Sequence, residues 1–199
     1  MGINDNMKII VLGDRKGKFK AETSEDSLFP TGHESWAYAM GSDYCNILSI
    51  SSKAIARYDI VLANLDYVNS KYLSTLDKLS SNRNSNTIWI SLIEGDTEMY
   101  LKPNPIINNI LQSSNLVICI NKHSVGFFQA MTNAKVVYIG VPYPVEAVKK
   151  FRIPFDKRQK RTFICSNLLS RCNDYFVAKE LGLPYYGFEK RVHRTIKNI

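Results

Sequence analysis

Short, continuously apolar runs rich in β-branched residues alternate along the chain with stretches whose apolar side chains recur at three and four positions. The segment Lys8–Gly13 (KIIVLG) is apolar after its lysine and closes on a Gly-Asp pair, the pattern of a strand buried on both faces. Further strands are expected at Asn46–Ile50, Tyr58–Asn64, Thr87–Ile93, Leu116–Asn121 and Val136–Gly140. Helical spacing lies between them. His33–Gly41 puts Trp36, Ala37 and Met40 on one face, and Ser70–Ser81 does the same with Tyr72, Leu73, Leu76 and Leu79. Pro105–Gln112 opens on a proline suited to a first helical turn, and His123–Met131 carries Val125, Phe127 and Phe128. Repeated strand–helix–strand units with buried-type strands predict an α/β fold: a Rossmann-like open parallel sheet with helices on both faces. In such sheets ligands bind beyond the carboxyl ends of the strands, which here directs attention to Asp14, Arg15, Asp66, Glu94, Asp96 and Lys122.

The alternation breaks at the Pro-rich VPYPVE and the charged KKFRIPFDKRQKR, then resumes. A strand is expected at Arg161–Ser166, a helix at Asn173–Gly182 ending in glycine, and a strand at Tyr185–Phe188. The expected organisation is therefore a first domain over residues 1–148, a basic connection over 149–161, and the start of a second β-α-β domain over 162–199. One β-α-β unit is too small to bury a core of its own, so the second domain is expected to be incomplete.

Charge sharpens this division. The net charge is +8, but residues 149–199 carry thirteen Lys and Arg against four Asp and Glu, while residues 1–148 carry thirteen against fourteen. A nearly neutral body with a basic end calls for an anionic partner: a nucleotide diphosphate, a nucleic acid or an acidic membrane surface. The alternative is a solvated linker and tail. Within 149–161, Lys157, Arg158, Lys160 and Arg161 follow Phe151, Ile153 and Phe155, so the segment can face an anionic surface while its apolar side chains pack. Cys45, Cys119, Cys165 and Cys172 have no C-x-x-C spacing, and most sit in or beside apolar runs, as buried thiols do in a reducing compartment. No signal peptide or spanning helix is read, and the expected location is the cytoplasm, with peripheral contact at a membrane as the alternative.

Several chemistries fail on spacing. GDRKGKF has one residue too few between its glycines for a P-loop, and Phe19 stands where a Ser or Thr would hold magnesium. No G-x-G-x-x-G follows the first strand, and no G-x-S-x-G is present. His33, His123 and His193 lack zinc spacing, so no metal ligands are assigned.

A whole-chain order of motifs remains. Pro30-Thr31-Gly32-His33-Glu34-Ser35-Trp36-Ala37 resembles the P-x-G-G-x-E-x-x-x-x-x-L-A opening of retaining glycosyltransferases of the GT-B class, with His33 at the second glycine. ARYDIVLAN resembles their third strand, SNLVICINKHSVGFF a later strand and helix, and VVYIGVPYPVE the segment that closes the N-terminal domain. KRTFICSNLLSR resembles the first strand and diphosphate loop of the C-terminal domain. The Glu-x7-Glu element late in that family's C-terminal domain has no counterpart.

The resemblance implies transfer of a sugar from a nucleotide-sugar to an acceptor, with no cofactor beyond that co-substrate and no required metal. It implies acceptor binding at Gly32, His33 and Glu34, and donor diphosphate binding at Asn167 and Arg171. The acceptor would be a sugar or a lipid-linked sugar, with peripheral membrane contact. Glu94, Asp96 and His123, just after buried strands, are the catalytic candidates. Each has a plainer reading: Gly32 and His33 as a tight helix start, Glu34 as a first-turn acid on the helix dipole, Arg171 as a surface ion pair. The rival function is a non-catalytic Rossmann-like module that grips a polyanion, nucleic acid or anionic membrane, through its basic end. Nucleic acid is the weaker partner on sequence grounds, since no recognition motif supports it.

Overall fold

The computed structural model describes residues 7–14, 18–19, 32–65, 70–95, 97–142, 154–157, 164–166, 180–182 and 185–187. The chain divides into two units, Met1–Phe151 and Arg152–Ile199.

The first unit is built on a seven-stranded sheet. Its strands are β1 (Ile9–Gly13), β2 (Lys18–Phe19), β3 (Asp43–Asn46), β4 (Ile60–Asn64), β5 (Ile88–Ile93), β6 (Leu116–Cys119) and β7 (Lys135–Tyr138). They lie in the order β2-β3-β1-β4-β5-β6-β7, and only β2, paired to β3, is antiparallel. The six parallel strands make the Rossmann-like sheet that the apolar runs predict. The β1 residues are all buried, as continuous apolar strands require when helices cover both faces.

The period-2 alternation of a strand sorts the core into two layers. One face carries Ile10, Leu12, Val61, Ala63, Trp89, Val117 and Cys119. Against it pack α2 (Ser52–Ile55), α3 (Ser70–Ser81), α4 (Pro105–Ser113) and α5 (Val125–Gln129), through Ile55, Leu76, Ile110 and Phe128. The other face carries Val11, Tyr44, Leu62, Ile90, Leu92 and Ile118, and receives Trp36 and Ala37 of α1 (Gly32–Ala39).

Local chemistry explains where elements stop. The α1 helix ends at Gly41, whose φ of 58° is the left-handed value that glycine adopts without penalty. Asn104 caps α4 by accepting from the backbone N–H of Ile106 at 3.0 Å and Ile107 at 3.4 Å, and Pro105 takes the first helical position. The α5 helix is shorter than its apolar spacing predicts, because Lys122–Ser124 forms a 3-10 turn ahead of it.

One strand is displaced from its expected place. The run Asn46–Ile50 is not a strand. The strand is Asp43–Asn46, and Ile47–Ser49 turns as a 3-10 helix. The cause is Asn46, whose Oδ1 accepts from the backbone N–H of Leu48 at 2.8 Å and so starts the turn. The two-residue β2 was not expected, being too short to carry a period.

In the second unit, β8 (Ile164–Ser166) pairs in parallel with β9 (Tyr185–Gly187), with Cys165 opposite Tyr186. The helix expected over Asn173–Gly182 lies outside the described residues except at 180–182, where Gly182 has a φ of 61°. Among the described residues no helix is long and apolar enough to cross a membrane. Cys45 and Cys119 are buried and unbridged.

Candidate functional site at the carboxyl ends of the strands

The chain passes from β1 to β3 on one side and then returns to β4 on the other, so the strand order reverses between β1 and β4. At such a reversal the crossover connections diverge and leave a crevice at the carboxyl ends. The residues at this crevice are polar. Asp14 follows β1, Asn64 ends β4, Glu94 follows β5, and Asn121 follows the neighbouring β6.

Two of these positions and one helix residue form a cluster. Asn64 is fully buried, and its Nδ2 donates to Glu94 Oε2 at 2.9 Å. Trp36, 5% exposed, donates from Nε1 to Glu94 Oε1 at 3.2 Å. Alternation dictates the meeting. Asn64 follows Leu62 by two and Glu94 follows Leu92 by two, so both stand on the face that packs α1. The carboxylate is half-buried, and each oxygen receives a neutral donor set in a rigid element.

A second bracket fixes the turn after β1. Asn46 Nδ2 donates to the Asp14 carbonyl at 2.6 Å while its Oδ1 holds Leu48, and the Tyr72 hydroxyl reaches the same carbonyl at 3.5 Å. One amide thus fastens the ends of two adjacent strands.

The expected site residues fare differently. Glu94 is at the centre of the cluster. His123 stands exposed in the 3-10 turn after β6, where Asn121 Oδ1 accepts from its backbone N–H at 3.0 Å. The backbone of Gly32, His33 and Glu34 forms the first turn of α1, separated from Trp36 by Ser35; their side chains lie outside the described residues. The Trp36–Glu94 bond therefore ties the helix expected to bind acceptor to the edge expected to do chemistry. Lys157 is exposed at the end of a 3-10 turn, Phe155–Lys157. Arg15, Asp66, Asp96, Arg158, Lys160, Arg161, Asn167 and Arg171 lie outside the described residues. Among the described residues no group of three or more His, Cys, Asp or Glu could hold a metal ion.

Sequence reasoning missed Trp36, Asn64 and Asn46 as polar elements of the site. Its spacing with Ala37 and Met40 gives Trp36 the look of a purely apolar helix position. The available signal was an asparagine ending a buried strand, as in VLAN, where an amide needs a partner.

No protein-family model matches the chain, and none of the curated proteins does. Among solved structures it is similar to an α-glucosyltransferase in complex with UDP and a 13-mer DNA containing a central A:G mismatch, with a TM-score of 0.58, 11% identity, and 98% of this chain covering 63% of that one. It is similar also to an α-glucosyltransferase in complex with UDP, with a TM-score of 0.56, 13% identity, and coverage of 98% and 65%. A third likeness is to an α-glucosyltransferase in complex with UDP-glucose and DNA containing an abasic site, with a TM-score of 0.55, 13% identity, and coverage of 90% and 61%. The chain thus has the fold of a GT-B glycosyltransferase and spans between 61% and 65% of the length of these three.

Proposed function

We propose that the protein is a glycosyltransferase that takes a sugar from a uridine-diphosphate sugar. The observation that carries this reading is the GT-B fold itself, matched over 90% to 98% of the chain by α-glucosyltransferases in complex with UDP or UDP-glucose. The polar crevice where the strand order reverses is where such a fold receives its ligand, and the Trp36–Glu94–Asn64 cluster supports it. In this reading Gly32–Glu34 and the Glu94 edge serve the acceptor, and Asn167 and Arg171 serve the diphosphate. Basic groups and backbone amides neutralise the leaving UDP without a metal.

For the acceptor we favour nucleic acid over a lipid-linked sugar. Two of the similar α-glucosyltransferases described above are in complex with DNA, and this chain concentrates thirteen basic residues in 149–199. The decisive assay incubates the full chain with UDP-glucose and duplex DNA containing an HMU base, the base present in the complex of a further similar α-glucosyltransferase. UDP release coupled to a mass gain of one hexose on the DNA is the expected result. A folded chain that binds the duplex yet transfers no sugar from any of a panel of nucleotide sugars would favour the rival reading, a non-catalytic polyanion-binding module.

A further inference from the structure

We infer that the carboxyl ends of β6 and β7 form a docking surface for an unpaired stretch of a DNA strand, with Tyr138 as the platform on which a base stacks and Lys122 as the cation for its phosphate. The inference rests on the nucleic-acid acceptor favoured above and names residues of the first unit that meet the strand.

Among the described residues β7 is the edge strand of the sheet, with β6 on one side and no strand on the other. Tyr138 follows the buried Val136 by two and so stands on the face that α5 covers. Its register partner on β6, Cys119, is fully buried on that face, yet Tyr138 is 51% exposed. Ile139, on the opposite face, is 42% exposed, although its backbone N–H still donates to the Cys119 carbonyl at 3.1 Å. The sheet thus holds the backbone here while side chains on both faces stand in water. The Tyr138 hydroxyl lies 3.8 Å from the place a Cβ would take at Gly140, so the ring leans past the strand end over an exposed residue that has no side chain to screen it.

The surroundings select the ligand. Lys122 and His123 are exposed in the 3-10 turn that follows β6 and leads into α5, on the same side of the sheet as Tyr138. Residues 120–124 and 138–142 contain no acid. Carboxylates and amides grip a sugar through its hydroxyls, but here there is no carboxylate, and the one amide, Asn121, uses its oxygen to accept from the His123 N–H at 3.0 Å. An aromatic face beside a cation fits a flat ring that carries a negative charge close by, which is a base with its phosphate. Bases inside a duplex present only their edges, so the base that stacks is an unpaired one.

The test uses the full chain and a fluorescein-labelled oligothymidine, with inorganic polyphosphate and UDP as controls. Tyr138→Ala should weaken oligothymidine about tenfold and change polyphosphate and UDP less than twofold. Tyr138→Trp, which keeps an aromatic face, should bind within twofold of the native chain. Lys122→Gln should weaken both polyanions and lower the salt slope for oligothymidine by about 0.7. Native affinity in Tyr138→Ala overturns the inference, as does an equal loss for polyphosphate or a loss confined to UDP. A second arm needs no variant: oligothymidine with one 5-iodouracil, irradiated on the native chain, should crosslink at Tyr138, and a crosslink only elsewhere overturns the inference. A chain that holds the strand through Tyr138 yet transfers no sugar refutes the transferase reading and leaves this surface standing. Sugar transfer to DNA in a chain whose Tyr138→Ala variant binds the strand normally removes this surface alone.

Discussion

Arg83 donates through Nη2 to the backbone carbonyl of Ser113 at 2.6 Å and through Nη1 to that of Ser80 at 2.5 Å. One guanidinium thereby joins the carboxyl ends of α3 and α4, where carbonyls lack helical partners. Burial pushes its pKa down from the ordinary guanidinium range, but an arginine remains charged at neutral pH. Arg83→Met should lower the unfolding free energy by about 1–3 kcal/mol, since it leaves two half-buried carbonyls to find water. Arg83→Lys should recover only part, because a single ammonium cannot match the fork. Urea unfolding measures both, and equal stability of all three proteins would refute the joint.

At the amino ends of β3 and β4, the Tyr58 hydroxyl donates to Asp43 Oδ2 at 2.8 Å, from two residues ahead of β4 to the first residue of β3. Burial first, and then this hydrogen bond and the charge of Asp43, push the phenol up to about 12. The folded state thus keeps its proton where the unfolded chain, with an ordinary value of 10.0, has lost it. The tyrosine's contribution is fully present below pH 10 and is lost as pH rises from 10 towards 12. Tyr58→Phe should be less stable than the native chain at pH 7, by about 1 kcal/mol for one hydrogen bond. The gap should shrink above pH 10. A gap that stays constant or widens with pH in urea unfolding contradicts the linkage.

These contacts mark the limit of what the sequence displays. The α3 helix occupies Ser70–Ser81 as its apolar spacing predicts, and five of the six expected strands of the first unit fall where apolar runs lie, because burial pattern is a local property. The β3 strand moved because one asparagine side chain, Asn46, captured the backbone of Leu48 and outweighed the apolar run. The edge that holds Glu94 was legible, since it follows directly from strand polarity. Its partners were not: Trp36 and Asn64 lie 58 and 30 positions away and meet Glu94 only once the alternation of two strands and the packing of α1 are combined. The diphosphate residues Asn167 and Arg171 rest on the resemblance alone.

The leaving diphosphate in the proposed reaction is neutralised by basic side chains and helix-end amides. The rate of UDP release should therefore persist in EDTA, changing less than about twofold. Metal-dependent transfer would instead lose most of its rate and regain it with added magnesium. Such recovery would reject the metal-free part of the proposal and leave the sugar transfer intact.

The basic segment supplies the sharpest test of the partner. Lys157 is exposed, on a turn closed by its own backbone N–H to the Pro154 carbonyl at 3.0 Å, and Arg158, Lys160 and Arg161 follow in sequence. If these four groups sit on DNA phosphates, each neutralised phosphate releases condensed counterions and adds about 0.9 to the slope of log affinity against log salt. Changing all four to glutamine should lower that slope by about 3–4 and weaken duplex binding steeply at low salt. Exposed charges contribute little to stability, so the melting temperature should stay nearly constant. Flotation with anionic vesicles separates the competing partner, because a membrane-docking segment would lose vesicle binding and leave the duplex slope untouched. Unchanged binding to both would make the segment a solvated connection. A large fall in melting temperature would show instead that these cations pair with acids of the folded chain.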